Sequence, residues 1–248
     1  MLKRFENFSN RVELALGRLF FRDTSVQVHR IGDKHMILDH RAADAGSIRG
    51  CVSSPMYWDL LDKVKLPRNL TVLDVGANVG GFPFLLHARK HELKSLTCVE
   101  LNPSTFVRLQ FNVLSNWPKA TVLNRAVTSQ PGELTLRLGR GDTGDSLRGS
   151  PQGGGEEVTV QTIKLDELSD APVIDLLKMD IEGAETDVLL ETGHEQTLAR
   201  TSVLVIEIHP VDKAQAIHDA ITATGLEHVW GSEPMIGQHV FARPDHIK

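Results

Sequence analysis

Beyond residue 70, five short apolar runs rich in β-branched residues, at 71–75, 95–99, 121–123, 176–179 and 203–208, alternate with stretches of helical period at 82–90, 103–116 and 184–200. Strands and helices in alternation can bury their apolar faces in few ways. The economical one is a doubly wound α/β fold, a mostly parallel sheet with helices on both faces. A further helical stretch at 212–224 and apolar runs at 229–230 and 238–242 predict a closing pair of strands. Upstream, Leu2, Phe5, Val12, Leu16, Leu19 and Phe20 recur at helical spacing and predict a helix over 2–21. Runs at 26–31 and 35–38 around Gly32 predict a hairpin, 40–55 reads as a polar stretch, and 57–61 reads as a short helix closed by Pro67. The chain therefore divides into a helix and hairpin extension, residues 1–55, and a larger domain, residues 56–248.

One segment interrupts the alternation. Residues 139–155 hold seven glycines in seventeen positions, between runs at 134–138 and 158–163 that alternate like paired strands. A loop of this length either closes over a substrate or lacks order.

Composition narrows the function classes. A length of 248 residues, 41% of them hydrophobic, suffices for one sizeable core. The balance of Lys+Arg 27 against Asp+Glu 32 gives 27 − 32 = −5, so there is no basic excess of the kind that non-specific nucleic-acid binding needs. Two cysteines, Cys51 and Cys98, make no disulfide framework, and Cys98 reads as a small buried hydrophobe. No apolar run approaches the ~18–20 residues of a membrane span. Glu6, Asn7, Asn10, Arg11 and Glu13 interrupt any signal-peptide core. The expectation is a cytoplasmic protein with no nucleic-acid or membrane partner, and the oligomeric state is left open.

The most informative local pattern is TVLDVGANVGG, residues 71–81, a strand entering a glycine-rich turn before a helix. Glycines at Gly76 and Gly80 let backbone approach a ligand closely. A dinucleotide fingerprint wants a bare glycine at its second position for the pyrophosphate, and here Asn78 stands there. No Gly-Lys-Ser/Thr follows, which removes the phosphate loop of nucleotide triphosphatases. A ligand without phosphate fits: S-adenosylmethionine. Asp74 would meet its ammonium group, directly or through water, and turn N–H groups its carboxylate. The next strand ends in Glu100, 100 − 74 = 26 residues further on, where a carboxylate can accept both ribose hydroxyls. Glu100 would suit NAD equally. Asn124, at the end of the third strand, or backbone near it, is placed to read the adenine edge.

A second cluster, DLLKMDIEGAE at 175–185, sets carboxylates and Lys178 around an apolar strand. Strand alternation puts Lys178, Asp180 and Glu182 on one side, with Met179 and Ile181 on the other. Asp180 and Glu182 fall at a strand's carboxyl end, where open parallel sheets bind ligands. The neighbouring strand ends with Glu207 and His209 sharing a face. Lys178 reads equally as an ion-pair partner, Glu185 as a complement to its helix dipole, and His209 as a satisfied turn histidine. Asp180, Glu182 and His209 could hold a divalent ion, but their spacing matches no metal motif and no metal is predicted.

Together VLDVGANVG (72–80), VELNPS (99–104), Leu109 with Asn112, NRAV (124–127), the 175–185 block and VIEIH (205–209) resemble the FkbM family of S-adenosylmethionine-dependent methyltransferases. The resemblance spans residues 55–210 and is most specific at 175–185; the N-terminal fifty residues and the 139–155 loop lie outside it and are the expected seat of acceptor specificity. It implies a class I methyltransferase fold, Rossmann-like, with a seven-stranded sheet ending in an antiparallel hairpin. It also implies O-methylation of a small-molecule hydroxyl on a sugar, polyketide or other secondary metabolite. Carried over by motif, Asp74, Gly76, Asn78 and Gly80 line the methionine end, Glu100 holds the ribose, and Asp180, Glu182 and His209 face the acceptor. Where the family has a Tyr-Glu pair before the first strand, this chain has Tyr57, Trp58 and Asp59. An alcohol needs help in losing its proton. His209 or Asp180 is expected to take it, with Glu182 orienting the acceptor. The competing readings are an NAD(P)-dependent oxidoreductase and a non-catalytic S-adenosylmethionine-binding protein.

Overall fold

The computed structural model describes residues 6–20, 26–40, 42, 44–138, 156–231 and 236–248. In chain order the elements are helix α1 (Arg11–Phe20), strands β1 (Val26–Ile31) and β2 (Lys34–Asp39), helices α2 (Asp44–Val52) and α3 (Pro55–Leu61), and strand β3 (Asn69–Val75). Then come α4 (Gly81–Ala88), β4 (Glu92–Glu100), α5 (Pro103–Leu114), β5 (Thr121–Asn124), β6 (Ala126–Val127), β7 (Glu133–Leu138) and β8 (Glu156–Ile163). The chain closes with β9 (Ile174–Met179), α6 (Glu185–Leu190), α7 (Glu195–Arg200), β10 (Thr201–Ile208), α8 (Ala214–Ala223), β11 (Glu227–Gly231) and β12 (Gly237–Ala242).

The central sheet has seven strands in the order β11-β12-β10-β9-β3-β4-β5. The pairs β3–β4, β4–β5, β3–β9 and β9–β10 are parallel, whereas β12 runs antiparallel to both β10 and β11. The doubly wound, mostly parallel sheet with a closing hairpin is therefore present. From β3 the chain builds outward through β4 and β5, then returns to the other side through β9 and β10. That reversal opens a crevice at the carboxyl end of β3.

Alternate residues of each strand feed two cores. Val72, Leu96, Cys98, Leu176 and Val205 face α4 and α5. Leu73, Val75, Leu177, Met179 and Ile206 face α6, α7 and α8. Phe8, Ile31, Met36, Leu38 and Ile48, all from the N-terminal extension, join the first of these cores.

Side-chain amides dock the extension's hairpin. Asn112 of α5 accepts from the Ile37 N–H at 2.7 Å and donates to its carbonyl at 3.1 Å. Asn116 does the same for His35, at 3.0 and 2.6 Å. Asp44 accepts from the Asp39 N–H at 2.8 Å while held by the Arg108 guanidinium at 2.7 and 2.9 Å. On the hairpin's other edge, the Asn10 side chain takes the Arg30 N–H and the Val28 carbonyl, at 3.0 and 2.9 Å.

Several boundaries differ from the sequence expectations. The first helix begins at Arg11, and residues 1–5 lie outside the described residues. The polar stretch at 40–55 contains α2, whose Ala45, Ile48 and Val52 are buried at helical spacing among serine and glycine. The predicted helix over 184–200 is two helices. Gly193 takes a φ of +104° between them, and Asp166 accepts from the N–H groups of Gln196 and Thr197 at 3.3 and 2.7 Å, capping α7 from outside. The runs at 134–138 and 158–163 do pair antiparallel, with β6 added parallel to β8. The glycine-rich stretch between them, 139–155, lies outside the described residues.

Candidate active site

A cavity of about 280 Å³ opens at the carboxyl ends of the central strands. Its floor is the turn after β3. Gly76 has φ +75°, and a Cβ there would stand 1.8 Å from the Asp180 carbonyl oxygen, so the β3 and β9 tips approach to a distance only glycine permits. Asn78 is also left-handed, at φ +49°, a conformation asparagine tolerates better than most residues. Its side-chain oxygen turns back to accept from the Val79 N–H at 2.8 Å.

The other N–H groups of this turn are also spent internally. Those of Gly76 and Ala77 go to the Val99 carbonyl, that of Gly80 to Ala77, and that of Asn78 to Glu100. The turn therefore presents a shape more than a set of free donors. The first N–H groups of α4, beginning at Gly81 in the cavity wall, have no acceptor within their own helix.

Glu100 closes one side. Its carboxylate accepts from the Asn78 N–H at 2.9 Å and the Asn102 N–H at 2.8 Å. Those two bonds fix its orientation in the cavity wall. Asn124 does not line the cavity: its amide donates to the carbonyls of Glu100 and Leu101 at 2.8 and 2.9 Å, bracing the β4 tip. Arg125, Ala126 and Val127 form the wall in its place.

Asp74 lies beneath the turn and is fully buried. Burial pushes its carboxyl above the usual range, against the pull of the Lys178 ammonium 3.5 Å away. Lys178 donates to the Gly76 carbonyl at 2.6 Å and sits 3.6 Å from Asp180. Burial opposes its charge, but Asp180 and Asp74 outweigh burial and hold it protonated above its usual range. Gly80, at φ +94°, caps α4 behind the wall.

Asp180 and Glu182 both line the cavity. Burial and then the Asp180 charge push the Glu182 carboxyl up to about 7. His209 lies behind Glu182, outside the wall. Its Nε2 is 3.3 Å from Glu182 and 3.8 Å from Glu207, and its Nδ1 is 3.0 Å from Glu185. Burial lowers its affinity for a proton, but the hydrogen bond to Glu185 and the surrounding carboxylates outweigh burial and carry it up to about 9. Glu185 is fully buried as its partner, a closer role than complementing a helix dipole.

The remaining wall comes from α2 of the extension, from α3 just beyond it, and from two strands of the sheet; the family motifs assign no site residue to either helix. α2 supplies Ser47 and Cys51, α3 supplies Met56 and Tyr57, β10 supplies Glu207, and the closing strand β12 supplies Gln238. The Ser54-Pro55 step marks the α3 start, with the Ser54 hydroxyl accepting from the Met56 N–H at 3.3 Å. Nothing in its spacing says that the helix faces a ligand.

Residues 74–228, more than half the chain, match the Methyltransferase FkbM domain family. The chain belongs to the FkbM methyltransferase family. Hexuronic acid methyltransferase AglP of Haloferax volcanii is 28% identical to it over 162 residues, 62% of this chain and 63% of that protein. The crystal structure of Methyltransferase FkbM from Methylobacillus flagellatus KT superposes with a TM-score of 0.50 at 15% identity, covering 77% of this chain and 50% of that one. The chain thus spans less than two thirds of the length of either, and the second likeness shows the fold alone.

Within this FkbM domain, Asp180, Glu182 and His209 each bring one ligating atom within 4.8 Å of the others. A divalent ion there would have to displace the proton that His209 holds between its carboxylate neighbours. Among the described residues, no helix is long and apolar enough to cross a membrane.

Proposed function

We propose that this chain transfers a methyl group from S-adenosylmethionine to a hydroxyl of a small, sugar-like molecule, with Glu182 as the proton acceptor. The observation that carries the reading is a single cavity holding both Glu100, oriented by two backbone N–H groups, and Glu182, whose carboxyl sits near 7. The cofactor fits the lining. Glu100 stands in the wall at the β4 tip, where a ribose would lie, and Gly81 opens α4 in the same wall, where the N–H groups of a helix start suit a carboxylate. When bound, S-adenosylmethionine supplies an electrophilic methyl group on a sulfonium.

The chain's own residues do the rest. Asp74 is a positioning residue: it holds Lys178, and Lys178 holds the Gly76 carbonyl. Glu182 accepts the hydroxyl proton, and a base near 7 is matched to neutral operating pH. The role of base thus falls to Glu182 and not to His209 or Asp180: both ring nitrogens of His209 are engaged with carboxylates, and Asp180 is paired with the Lys178 ammonium. His209 and Glu185 hold Glu182 in place from behind. Tyr57 and Gln238 lie where an acceptor's other hydroxyls can bond. The sugar class is supported by the name of the hexuronic acid methyltransferase relative. A hydroxyl is favoured over a carboxylate because an ionised carboxylate needs no base.

The test begins with calorimetric titration of S-adenosylmethionine, S-adenosylhomocysteine and NADH into wild type and Glu100→Ala. The first two should bind and weaken in the variant. Binding of NADH alone would restore the oxidoreductase reading. A screen of hydroxyl compounds for methyl transfer follows, and no turnover with any of them would favour a non-catalytic binding protein. Glu182→Gln should lower turnover by about 10²–10⁴-fold without weakening cofactor binding, and wild-type turnover should rise with pH through about 7.

A further inference from the structure

We infer that the outer edge of β7 is a self-pairing surface: two copies of this chain join β7 to β7 in antiparallel fashion, about a two-fold axis at Thr135. The inference stands apart from the methyl-transfer reading above.

A strand at the rim of a sheet offers its open backbone groups to any strand that fits, and folded proteins commonly shorten, bulge or cover such rims. The described strands follow that practice with one exception. β5 has four residues and β6 two. β11 is bulged between His228 and Trp230. The β1–β2 hairpin is met by the amides and the Asp44 carboxylate described above. β7 has six residues, its register with β8 is unbroken, and it contains neither proline nor lysine.

One bond tells which of its groups are open. The Thr162 N–H donates to the Gly132 carbonyl at 2.8 Å, extending the β7–β8 register by one pair. Bonded pairs alternate along an antiparallel ladder, so Leu134, Leu136 and Leu138 direct their backbone groups to β8. Glu133, Thr135 and Arg137 therefore turn theirs outward. Among the described residues β8 is the only strand beside β7, and nothing bonds to the outer row. The side chains of those three residues are exposed, whereas Leu136 and Leu138 are buried.

Charge complementarity selects a second copy as the occupant. About an axis at Thr135, Glu133 of each copy lies opposite Arg137 of the other, and Thr135 lies opposite its own counterpart. Opposite charges at facing positions stabilise a strand pair, and like charges destabilise it. In that register each outward residue exchanges both of its backbone bonds with the residue facing it. Arg137 has no ion pair among the described residues, and Glu133 is met by the neutral Gln161 amide at 2.5 Å. A two-fold contact requires a self-complementary patch, and this row is one. The pairing continues the β6-β8-β7 sheet through its copy. Since β6 supplies Ala126 and Val127 to the cavity wall, both cavities then border one sheet.

Sedimentation equilibrium of the full chain, from micromolar concentrations to the solubility limit, tests the inference. Wild type should show a reversible monomer–dimer equilibrium. Thr135→Pro removes an outward N–H that β8 does not use, and should abolish the dimer while the circular dichroism spectrum stays that of wild type. Glu133→Arg and Arg137→Glu, changes of exposed side chains that keep the test open if the proline variant fails to fold, should each weaken association about tenfold by setting like charges face to face. Mixing those two variants, or placing both changes in one chain, should restore it. A wild type that stays monomeric throughout overturns the inference. So does a dimer that survives Thr135→Pro, or one that the single charge reversals leave unchanged.

Discussion

At the scale of single residues, His209 shows how a side chain can belong to a site without facing it. Its two nitrogens are held between Glu185 and Glu182, and its proton is retained up to about 9 against an ordinary value of 6.5. A pKa raised on folding means that protonation favours the folded state. The stabilisation is therefore complete below about pH 6.5 and is lost as pH rises through about 9. His209→Gln should lower the thermal midpoint most at acidic to neutral pH, and the difference from wild type should close toward alkaline pH. A gap independent of pH would deny the ion-pair role. Spacing alone identified Gly76 and Glu100, because a strand-end glycine turn and the next strand's terminal acid are fixed by the βαβ geometry itself. It could not orient His209, whose partners come from the first turn of α6 and from the bend before it.

At the scale of elements, strands were read well because each is a short apolar run with both faces covered. Helix ends depended on residues far away in sequence. The break between α6 and α7 is held by Asp166, about thirty positions upstream of the N–H groups it caps. A periodicity window over 184–200 cannot contain that carboxylate. Asp166→Ala should cost about 1 kcal/mol in urea unfolding, the usual penalty for a lost N-cap acceptor. It should leave cofactor binding unchanged, since α7 lies on the face of the sheet away from the glycine turn's own helix. An unchanged unfolding midpoint would show that α7 needs no cap. Helix α2 escaped notice for a different reason: its apolar positions are few, and serine and glycine between them carry no helical signal of their own.

At the scale of the molecule, the segment up to Leu61 is more than an appendage to the sheet. It contributes to one of the sheet's two cores, and through α2 and α3 it builds one wall of the cavity whose floor is the motif-bearing β3 turn. The sequence carried the architecture because a parallel sheet imposes regular punctuation. It marked the N-terminal segment as the expected seat of acceptor specificity but named no wall residue there, because that segment is docked through lone amides such as Asn112, fully buried with three hydrogen bonds. Asn112→Ala removes those partners and should destabilise the protein by about 1–3 kcal/mol. Residues 6–66 should then be cut preferentially in limited proteolysis, and uniform protection would mean that the extension is held by its apolar contacts alone.

The same amides have an effect beyond the single chain. A two-stranded hairpin ordinarily presents two rows of open backbone groups, each a template for a strand from another copy. Here Asn112, Asn116 and Asp44 meet the row on β2, while Asn10 meets the row on β1. Side chains take the place of a neighbouring strand along β2 and over part of β1. The hairpin is thereby largely finished off as a sheet of two, and a strand from another copy would have to displace these side chains to add a third.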